Sequence, residues 1–566
     1  MTWVLERTGY ASALRSRDLR LLLGGLVVSA TGSWAYNVAL LVFVFDQTGS
    51  LTWVGLAGLA RFVPALLLST YGGVIAERFE RVRVMIAADL LCMAWQALLA
   101  IVMIAEAPVE LALLFAALTA STNVVYNPAV AAMLPEVVED EGDLAAANAL
   151  NGTIENLVVI VGPAIGAGLV ALVSPGAAVI VDAVSFGVSA LLVNRMRARS
   201  MPSDVTEGGD AGPLAQMAAG VRAIVSSRSV GLLVGFCALV SFVYGTDTVL
   251  FVGVSEGRLG TGADGFGYLL AGLGLGGILF AATVNRLASS PRLGTIILLG
   301  TGFYCLPTAL LTVVTEPAVA FFIEVVRGGG TIVVDVIAVT ALQRSVAPEM
   351  VARVFGVFFA VVLGAISLGT LITPAVVSAT SLDAGLWVMS VGPFALGLLG
   401  YPALLAIDRE NAARVAELAP RIAILESLGI FAAANRPVLE RLAGAAKEIR
   451  ASAGTAIVTQ GEAADALYVL TSGSVDVSSR GERGAADEFI RTMEPGSYFG
   501  EIGLLEGIPR TATVTAAGDC ELLRIAGHDF LESLTTTPAS GTLVDSARLR
   551  LARTHPSREP SFEPGA

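Results

Sequence analysis

One stretch of the chain reads Phe499-Gly-Glu-Ile-Gly-Leu-Leu-Glu-Gly-Ile-Pro-Arg-Thr-Ala-Thr-Val514. Gly500 and Gly503 let the backbone approach a ligand without a Cβ atom in the way, and the short run beside them can form one helical turn whose N–H groups face an anion. Arg510 adds a permanent positive charge with forked donors, which suits a phosphate. Glu501 can only accept hydrogen bonds, so its expected partner is a sugar hydroxyl. The stretch therefore predicts a pocket for a cyclic phosphodiester on a pentose.

This stretch resembles the phosphate-binding cassette of the cyclic nucleotide-binding domain family. The resemblance implies that Glu501 contacts the ribose 2′-OH and that Arg510 contacts the cyclic phosphate. Gly503 stands where the family usually has Ala, and we expect it to loosen the turn without removing a contact. cAMP is the expected ligand and cGMP the alternative, because Thr511 does not decide between the two bases. The resemblance implies one set of binding residues: Phe499, Gly500, Glu501, Ile502, Gly503, Leu504, Arg510, Thr511 and Ala512.

Upstream of the cassette, short alternating segments joined by glycine turns predict a small antiparallel β-roll. Examples are Leu467-Tyr468-Val469 and Ser472-Gly473. We assign residues 425–553 to this cyclic nucleotide-binding domain, with helices flanking the roll, and residues 554–566 to a disordered tail. The alternative is a roll that has lost its ligand, although Glu501 and Arg510 are both present.

The rest of the chain has the composition of an α-helical membrane protein. Of 566 residues, 55% are hydrophobic and only 15% charged, with a mean hydropathy of +0.75, which excludes a chain that is soluble throughout. Runs of about 20 apolar residues can cross a bilayer, and we count six plus six of them. The runs are Leu21–Phe45, Leu51–Ala76, Val84–Ile104, Val109–Leu134, Leu144–Val173, Ala177–Val193, Val230–Val254, Phe266–Leu287, Leu293–Val314, Ala318–Leu342, Val351–Ser378 and Leu382–Ile407.

Two six-helix halves follow from this count, residues 1–194 and 230–408, joined by an inter-half linker at 195–229. The middle of the linker, Ser203 to Gly212, is rich in Ser, Gly and Asp. Residues 409–424 keep apolar side chains at helical spacing, so we expect a stiff helical connector that continues the twelfth span.

The loop after the second span reads Gly73-Val-Ile-Ala-Glu77-Arg78-Phe-Glu-Arg81-Val-Arg83. It resembles the signature loop of the major facilitator superfamily, which implies a twelve-helix fold and a conformational gate at Gly73, Glu77, Arg78 and Arg81. A small Gly lets two helices pack closely, and the acid can lie against the N-terminal end of another helix, here span eleven. The alternative is a basic loop that only fixes topology.

Span five carries Gly162, Pro163 and Gly166, similar to the glycine-proline motif of exporters in this superfamily. Glycine and proline in a spanning helix create a bend and a close-packed face. Together with other tracts between residues 15 and 405, the motif resembles the enterobactin-exporter and macrolide-efflux-like branch. The resemblance implies export of a small molecule that the sequence does not identify.

Ionisable residues at membrane depth are functional candidates because they are costly there. Both histidines lie outside the spans, so a proton relay has to use carboxylates. Asp247 has no charged neighbour within one turn and is the first choice for proton coupling. Glu324 and Arg327, three residues apart, are expected to pair on one helix face. The other candidate coupling or substrate residues are Asp182, Asp335 and Glu155.

Several classes of function are excluded or not indicated. Four scattered cysteines predict neither disulfides nor a metal site, and we expect no cofactor, no catalytic residue and no enzymatic activity. The net charge of −13 argues against nucleic-acid binding. Arginines concentrate in alternate loops, which predicts a plasma-membrane protein with both termini and the nucleotide-binding domain in the cytoplasm.

We therefore expect a proton-coupled exporter, embedded in the lipid bilayer and regulated by cAMP. The alternative is a membrane-anchored cyclic-nucleotide receptor whose membrane domain no longer transports. A third reading, in which the cyclic nucleotide is the cargo, fits less well because the binding module is an appendage outside the membrane path.

Overall fold

The computed structural model describes residues 10–138, 143–199, 213–288, 290, 292–346, 350–431, 434, 436–480 and 487–535. The middle of the predicted linker, Ser203 to Gly212, and the predicted tail at 554–566 lie outside these described residues. The chain divides into two compact units, Met1–Arg409 and Glu410–Ala566. The first unit is helical, and the second combines helices with a β-roll.

The first half of the helical unit follows the predicted order of spans. A seryl cap begins the first span, because the Ser16 hydroxyl accepts a hydrogen bond from the Leu19 N–H. The fourth span is interrupted between Asn123 and Tyr126. In chain order the helices are α1 (Tyr10–Ala13), α2 (Arg17–Thr48), α3 (Leu51–Arg78), α4 (Arg81–Ile104), α5 (Val109–Asn123), α6 (Tyr126–Val137), α7 (Leu144–Leu172) and α8 (Pro175–Asn194).

The second half begins with a helix inside the segment predicted as a linker. This helix, α9 (Pro213–Ser226), packs through Gly220, where a Cβ atom would lie 2.4 Å from the Arg353 carbonyl oxygen. The remaining helices of the unit are α10 (Arg228–Gly257), α11 (Ala263–Ala288), α12 (Leu293–Cys305) with a 3₁₀ extension (Leu306–Thr312), α13 (Pro317–Ser345), α14 (Val351–Ala379) and α15 (Leu382–Leu399).

Within the described residues, ten helical segments are long and apolar enough to cross a membrane. The fifth and eighth spans, α7 and α11, have 29 and 26 residues and complete the pattern of twelve. Large apolar side chains such as Leu67, Ile101 and Phe322 are 61–68% exposed on the outside of the bundle, as expected of a surface that faces lipid. The expected 6+6 helical fold is confirmed.

Glycines hold the helices together where backbones approach each other. A Cβ atom on Gly328 would lie 1.8 Å from the Leu273 carbonyl oxygen, which joins α13 to α11. Similarly, Gly369 and Gly245 bring α14 and α10 together, since a Cβ atom on either one would lie 2.1 Å from a carbonyl oxygen of the other helix. This close packing of small residues is what stabilises helix pairs in lipid, where apolar burial alone does not.

The twelfth span does not run unbroken into the connector. It ends at Leu399, and α16 (Tyr401–Ser427) begins after Gly400. Near its start, Asp408 is buried and accepts hydrogen bonds from the Gly294 N–H at 2.6 Å and from the Thr295 N–H and hydroxyl at 3.0 and 2.7 Å. Asp408 therefore caps α12 and anchors α16 in the helical unit.

In the C-terminal unit, two four-stranded antiparallel sheets form the roll. The strands are β1 (Lys447–Ala451), β2 (Ala456–Val458), β3 (Ala466–Ser472), β4 (Val475–Arg480), β5 (Asp487–Met493), β6 (Tyr498–Phe499), β7 (Thr513–Ala516) and β8 (Cys520–Ala526). The strand order is β1-β8-β3-β6 in one sheet and β2-β7-β4-β5 in the other. Short helices flank the sheets: α17 (Arg436–Ala445), α18 (Glu501–Glu506) and α19 (Gly527–Thr535).

The last turns of α16 belong to the core of this second unit. Ile422 and Leu425 are buried with Leu467 of β3 and Phe530 of α19. Arg421 adds polar contacts, because its guanidinium donates to Glu448 at 3.0 Å. Residues 409–424, predicted as a connector, lie within α16.

Candidate functional site

The C-terminal unit contains a pocket with about 680 Å³ of empty space. Eight of the nine cassette residues predicted to bind a nucleotide line it. The ninth, Leu504, packs instead in the core with Leu523 and Phe530. The lining residues come from β2, β4, β5, β6, α18 and β7 with the loop before it: Val458, Val477, Ile490, Arg491, Met493, Phe499, Gly500, Glu501, Ile502, Gly503, Arg510, Thr511, Ala512 and Val514.

Arg510 is held rigidly in the wall of this pocket, and its side chain is only 3% exposed. Its Nη1 donates to the Gly500 carbonyl oxygen at 2.9 Å, and its Nη2 donates to Asp465 at 2.7 Å and to the Ala466 carbonyl oxygen at 2.8 Å. The guanidinium also lies over the Tyr468 ring, 5.7 Å from its centroid. These three hydrogen bonds use three of the five N–H groups, which leaves donors for an anion in the pocket.

Gly500 makes this arrangement possible. It has φ +93°, which an L side chain rarely adopts, and a Cβ atom there would lie 2.6 Å from Nη1 of Arg510. The next residue, Glu501, begins α18 and is 1% exposed overall while lining the pocket. The left-handed glycine therefore places a carboxylate and a guanidinium on the same pocket.

Gly503 does not loosen the turn, contrary to expectation. A Cβ atom there would lie 2.7 Å from the Ala464 Cβ and 2.9 Å from the Ile508 carbonyl oxygen. Neither of these atoms is the end of a flexible side chain, so glycine is required for α18 to pack tightly beside the strands.

Asp465, which the sequence analysis did not single out, joins two arginines. Its second carboxylate oxygen accepts a hydrogen bond from Arg524 at 2.8 Å, while the first accepts from Arg510. Burial by itself raises the pKa of the Asp465 carboxyl, but the hydrogen bonds and charges of Arg524 and Arg510 outweigh it and hold that pKa below its usual value. Asp465 is therefore an anionic partner that orients Arg510.

The strands contribute pocket residues that no cassette motif indicates. Arg491 on β5 lines the pocket and adds a second cation to it. Around it are apolar side chains, among them Val477 and Ile490, which suit the flat face of a base. Alternation along β5 places Arg491 and Met493 on one face, but only the fold shows that this face meets the cassette.

In the helical unit, a second, smaller cavity lies between the two six-helix halves. Its walls combine aromatic rings with a few polar groups. The lining residues are Trp34, Asn37, Val38, Leu41, Arg61, Tyr244, Asp247, Thr248, Phe251, Phe266, Leu270 and Leu273.

Beside this cavity, a buried ionic network joins α10 to α13. Arg327 donates from Nη2 to both oxygens of Asp247, at 2.8 and 2.7 Å, and from Nη1 to both oxygens of Glu324, at 3.0 and 2.7 Å. Its Nε donates to the Tyr304 carbonyl oxygen, and the Tyr304 hydroxyl donates to Asp247, both at 2.8 Å. Asp247, Glu324 and Arg327 are each at most 3% exposed.

The predicted pair Glu324–Arg327 is therefore present, but Asp247 is not isolated as the sequence suggested. Its charged partner, Arg327, is 80 residues away in the chain and reaches it across the helix interface. Two carboxylates share one guanidinium, so with both acids ionised the network carries a net charge of −1. A net charge buried at membrane depth is costly, and one proton on the network removes it.

The other candidate acids are not among the cavity residues that the structure describes. Asp182 is fully buried on α8, and one of its oxygens accepts hydrogen bonds from Ser33 at 3.4 Å and Ser185 at 3.3 Å. Glu155 is exposed and accepts from Asn151 at 3.1 Å. Asp335 is also exposed.

Gly73, the glycine of the predicted gate motif, is not where two helices pack closely. Space around Gly73 is open, whereas a Cβ atom on Gly72 would lie 2.5 Å from the Val124 carbonyl oxygen. Gly72, not Gly73, is therefore the close-packing glycine. Arg81 donates to the Ala132 carbonyl oxygen at 3.2 Å and pairs with Glu136 at 3.5 Å.

The remaining gate residues contribute differently. Arg78 is exposed, and the side chain of Glu77 lies outside the described part of the structure. Glu80, in the same loop, forms ion pairs with Arg83 at 2.5 Å and with Arg199 at 3.7 Å.

The glycines of the motif on the fifth span pack against Trp34, one of the residues that line the cavity. A Cβ atom on Gly162 would lie 2.1 Å from Cδ1 of Trp34, and one on Gly166 would lie 2.6 Å from the Trp34 carbonyl oxygen. These two glycines therefore let α7 pack directly on Trp34, which lines the cavity. The side chain of Pro163, the third motif residue, is outside the described residues.

Fold and sites together define a multi-pass membrane transporter joined to a cyclic nucleotide-binding domain. A family model described as transmembrane secretion effector matches residues 8–424, and a cyclic nucleotide-binding domain model matches residues 448–537. The chain belongs to the transmembrane secretion effector family of the major facilitator superfamily. The two resemblances seen in the sequence are confirmed.

Relatives match the two parts separately. Macrolide efflux protein A of Streptococcus pyogenes is 24% identical over 363 residues, which cover 62% of this chain and 86% of that protein. The cAMP-dependent protein kinase regulatory subunit of Yarrowia lipolytica is 42% identical over 77 residues, which cover 14% of this chain. The chain spans only 20–25% of the length of such kinase regulatory subunits.

Among solved structures, that of a mutant of the nucleoside transporter NupG resembles the helical unit. The match has a TM-score of 0.57 and 11% identity, and covers 68% of this chain and 98% of that one. At this identity the likeness supports the fold alone.

Proposed function

We propose that this protein is a proton-coupled exporter of a small molecule and that cytoplasmic cAMP regulates it. The observation that carries the transport part is the surplus of one carboxylate in the Asp247–Arg327–Glu324 network beside the cavity. A site that is neutral with one proton and charged without it can couple proton movement to a change of conformation.

The ligand assignment rests on the pocket around Arg510. The cyclic phosphate would take the free donors of Arg510, and the ribose hydroxyl would donate to Glu501. cAMP is proposed because the matched kinase regulatory subunits are named for it. Export is proposed because the relative that matches most of the helical unit is named an efflux protein.

Regulation would act through α16. Contacts of Asp408 fix the helix in one unit, and contacts of Arg421 and Ile422 fix it in the other. A ligand shifts a conformational equilibrium only by its differential affinity for the two states, typically about 1–3 kcal/mol. We therefore expect cAMP to tune transport about 5- to 150-fold and not to act as an absolute switch.

The test is proton flux in proteoliposomes that hold the full chain and an internal pH dye. Cationic, neutral and anionic amphiphiles are added in turn, with and without cAMP. We expect at least one amphiphile to collapse an imposed pH gradient, at a rate that cAMP changes. Glu324→Gln should abolish that flux while keeping cAMP affinity.

The receptor alternative makes the opposite prediction. A membrane domain that only signals gives no amphiphile-driven proton flux with any compound, while cAMP still binds. That result would overturn the transport proposal and leave the nucleotide site in place.

A further inference from the structure

Arg61 is the cavity residue whose role neither the family match nor the ionic network explains. Arg61 lies on α3, ten residues after Leu51, where the helix begins. Ten residues of α-helix correspond to roughly 15 Å along the helix axis. That position is near the middle of the span Leu51–Ser69. Arg61 therefore presents a permanent positive charge to the cavity at membrane depth.

No carboxylate among the described residues forms an ion pair with Arg61. Its recorded partners are aromatic faces: the guanidinium carbon lies 5.9 Å from the centroid of the Tyr36 ring and 5.0 Å from that of Phe62. Asp247 lines the same cavity, but both its oxygens already accept hydrogen bonds from Arg327. Among the described residues, Arg61 is therefore a cation that lines this cavity without a carboxylate of its own, whereas Asp247 is already paired with Arg327.

Cation–π contacts only partly replace the water that a guanidinium loses in a membrane. A ligand with an anionic group would complete the site, because carboxylate, sulfonate and phosphate oxygens match the forked donors of arginine. Rings of Trp34, Phe251 and Phe266 line the same walls and suit an apolar or aromatic body.

We propose that the cavity binds an amphipathic organic anion and that Arg61 anchors its acidic group. This inference rests on the proposed transport function, since it names the chemical class of the cargo. An inside-negative membrane potential drives anions out of the cell and protons into it. Both movements of the proposed exchange are therefore electrically favourable. The same chemistry occurs in the headgroup of an anionic lipid, which the test separates from a free compound.

The test uses two fluorescent probes that differ by one sulfonate. These are 8-anilino-1-naphthalenesulfonate and its neutral analogue N-phenyl-1-naphthylamine, each titrated against the full chain in phosphatidylcholine nanodiscs. Energy transfer from Trp34 reports binding in this cavity, and Trp34→Phe defines the background. The variants are Arg61→Met and Arg61→Lys, with Arg20→Met as a matched change at an exposed arginine on the neighbouring helix.

We expect Arg61→Met to weaken binding of the sulfonate at least about tenfold and binding of the neutral analogue less than about threefold. Arg61→Lys keeps the charge and should lose less of the sulfonate affinity than Arg61→Met, while Arg20→Met should match the parent. Binding of the neutral analogue in the same cavity is the control for folding, because it shows that the helical unit of each variant still forms the cavity.

Two results would overturn the inference: unchanged sulfonate binding in Arg61→Met, or an equal loss for both probes. If phosphatidylglycerol nanodiscs abolish sulfonate binding to the parent by competition, the bound anion is a lipid headgroup and the anchoring role of Arg61 stands. Binding does not require transport, so a protein that binds the sulfonate through Arg61 without proton flux refutes only the proposed transport function.

Discussion

Replacing Arg510 by Leu tests the nucleotide site most directly. The side chain is 3% exposed, so its guanidinium meets a phosphate with little competing water. A hydrogen bond to a charged group contributes about 1.5–3 kcal/mol, which corresponds to a loss of roughly 10- to 150-fold in affinity. Calorimetric titration of the full chain with cAMP measures that loss.

The substitution also removes structural contacts, so stability has to be followed separately. Leu at this position leaves the carbonyl oxygens of Gly500 and Ala466 without their arginine donor, at a cost of about 1–3 kcal/mol for each acceptor left unsatisfied. Thermal unfolding of the variant shows whether the pocket is still formed at the titration temperature.

Arg524→Leu is the matched control. Arg524 donates to the same carboxylate, Asp465, at 2.8 Å, but does not line the pocket. We expect it to lose stability while keeping cAMP affinity within about threefold of the parent. If folded Arg510→Leu protein binds cAMP as the parent does, or if both variants lose affinity equally, Arg510 is not the phosphate ligand.

Four further predictions concern other parts of the chain. Asp247→Asn should abolish coupling to a proton gradient, measured as pH-driven flux in proteoliposomes, and normal coupling would direct attention to Glu324. Gly503→Ala should lower the free energy of unfolding of the C-terminal unit by about 1–3 kcal/mol, because the added Cβ atom would clash with Ala464 and Ile508. An unchanged free energy of unfolding would contradict the packing argument. A Gly-Ser insertion after Glu417, between the two anchored ends of α16, should keep cAMP affinity but remove the effect of cAMP on transport; an unchanged response would mean that the signal bypasses the helix. Arg491→Ala should hardly change the affinity for cAMP. Guanine, unlike adenine, offers an arginine two acceptors on one edge. If the unmodified protein prefers cGMP and the variant loses that preference, the assignment of cAMP as the ligand is wrong.

Local sequence was sufficient where function depends on a short, contiguous stretch. Gly500, Glu501 and Arg510 lie within twelve residues, and the left-handed turn at Gly500 brings the last two to one pocket. Long apolar runs likewise predicted the spans, because the hydrocarbon thickness sets their length. In both cases one local physical constraint decides the structure.

Sequence was insufficient where the deciding contact joins distant segments. Asp465 meets Arg510 across 45 residues, and nothing in either neighbourhood indicates that pairing. The close-packing glycine of the gate loop was predicted one position too late, since Gly72 and Gly73 differ only in which face of α3 they occupy. A helix also formed inside the predicted linker, where Gly220 meets a backbone that the sequence cannot place.

The ionic network shows why such misses matter for mechanism. Read along the chain, Glu324 and Arg327 form a neutral pair and Asp247 stands alone, so the single acid looks like the proton carrier. In the fold, Arg327 donates to both acids and all five of its N–H groups are used. The proton that removes the surplus negative charge therefore belongs to the network and not to one residue. Either Asp247→Asn or Glu324→Gln would leave one carboxylate paired with one guanidinium. Such a network is neutral without a bound proton, so it has no surplus negative charge for a proton to neutralise. Both substitutions should therefore uncouple transport from the proton gradient, and coupling that survives in either one would show that its partner acid alone carries the proton.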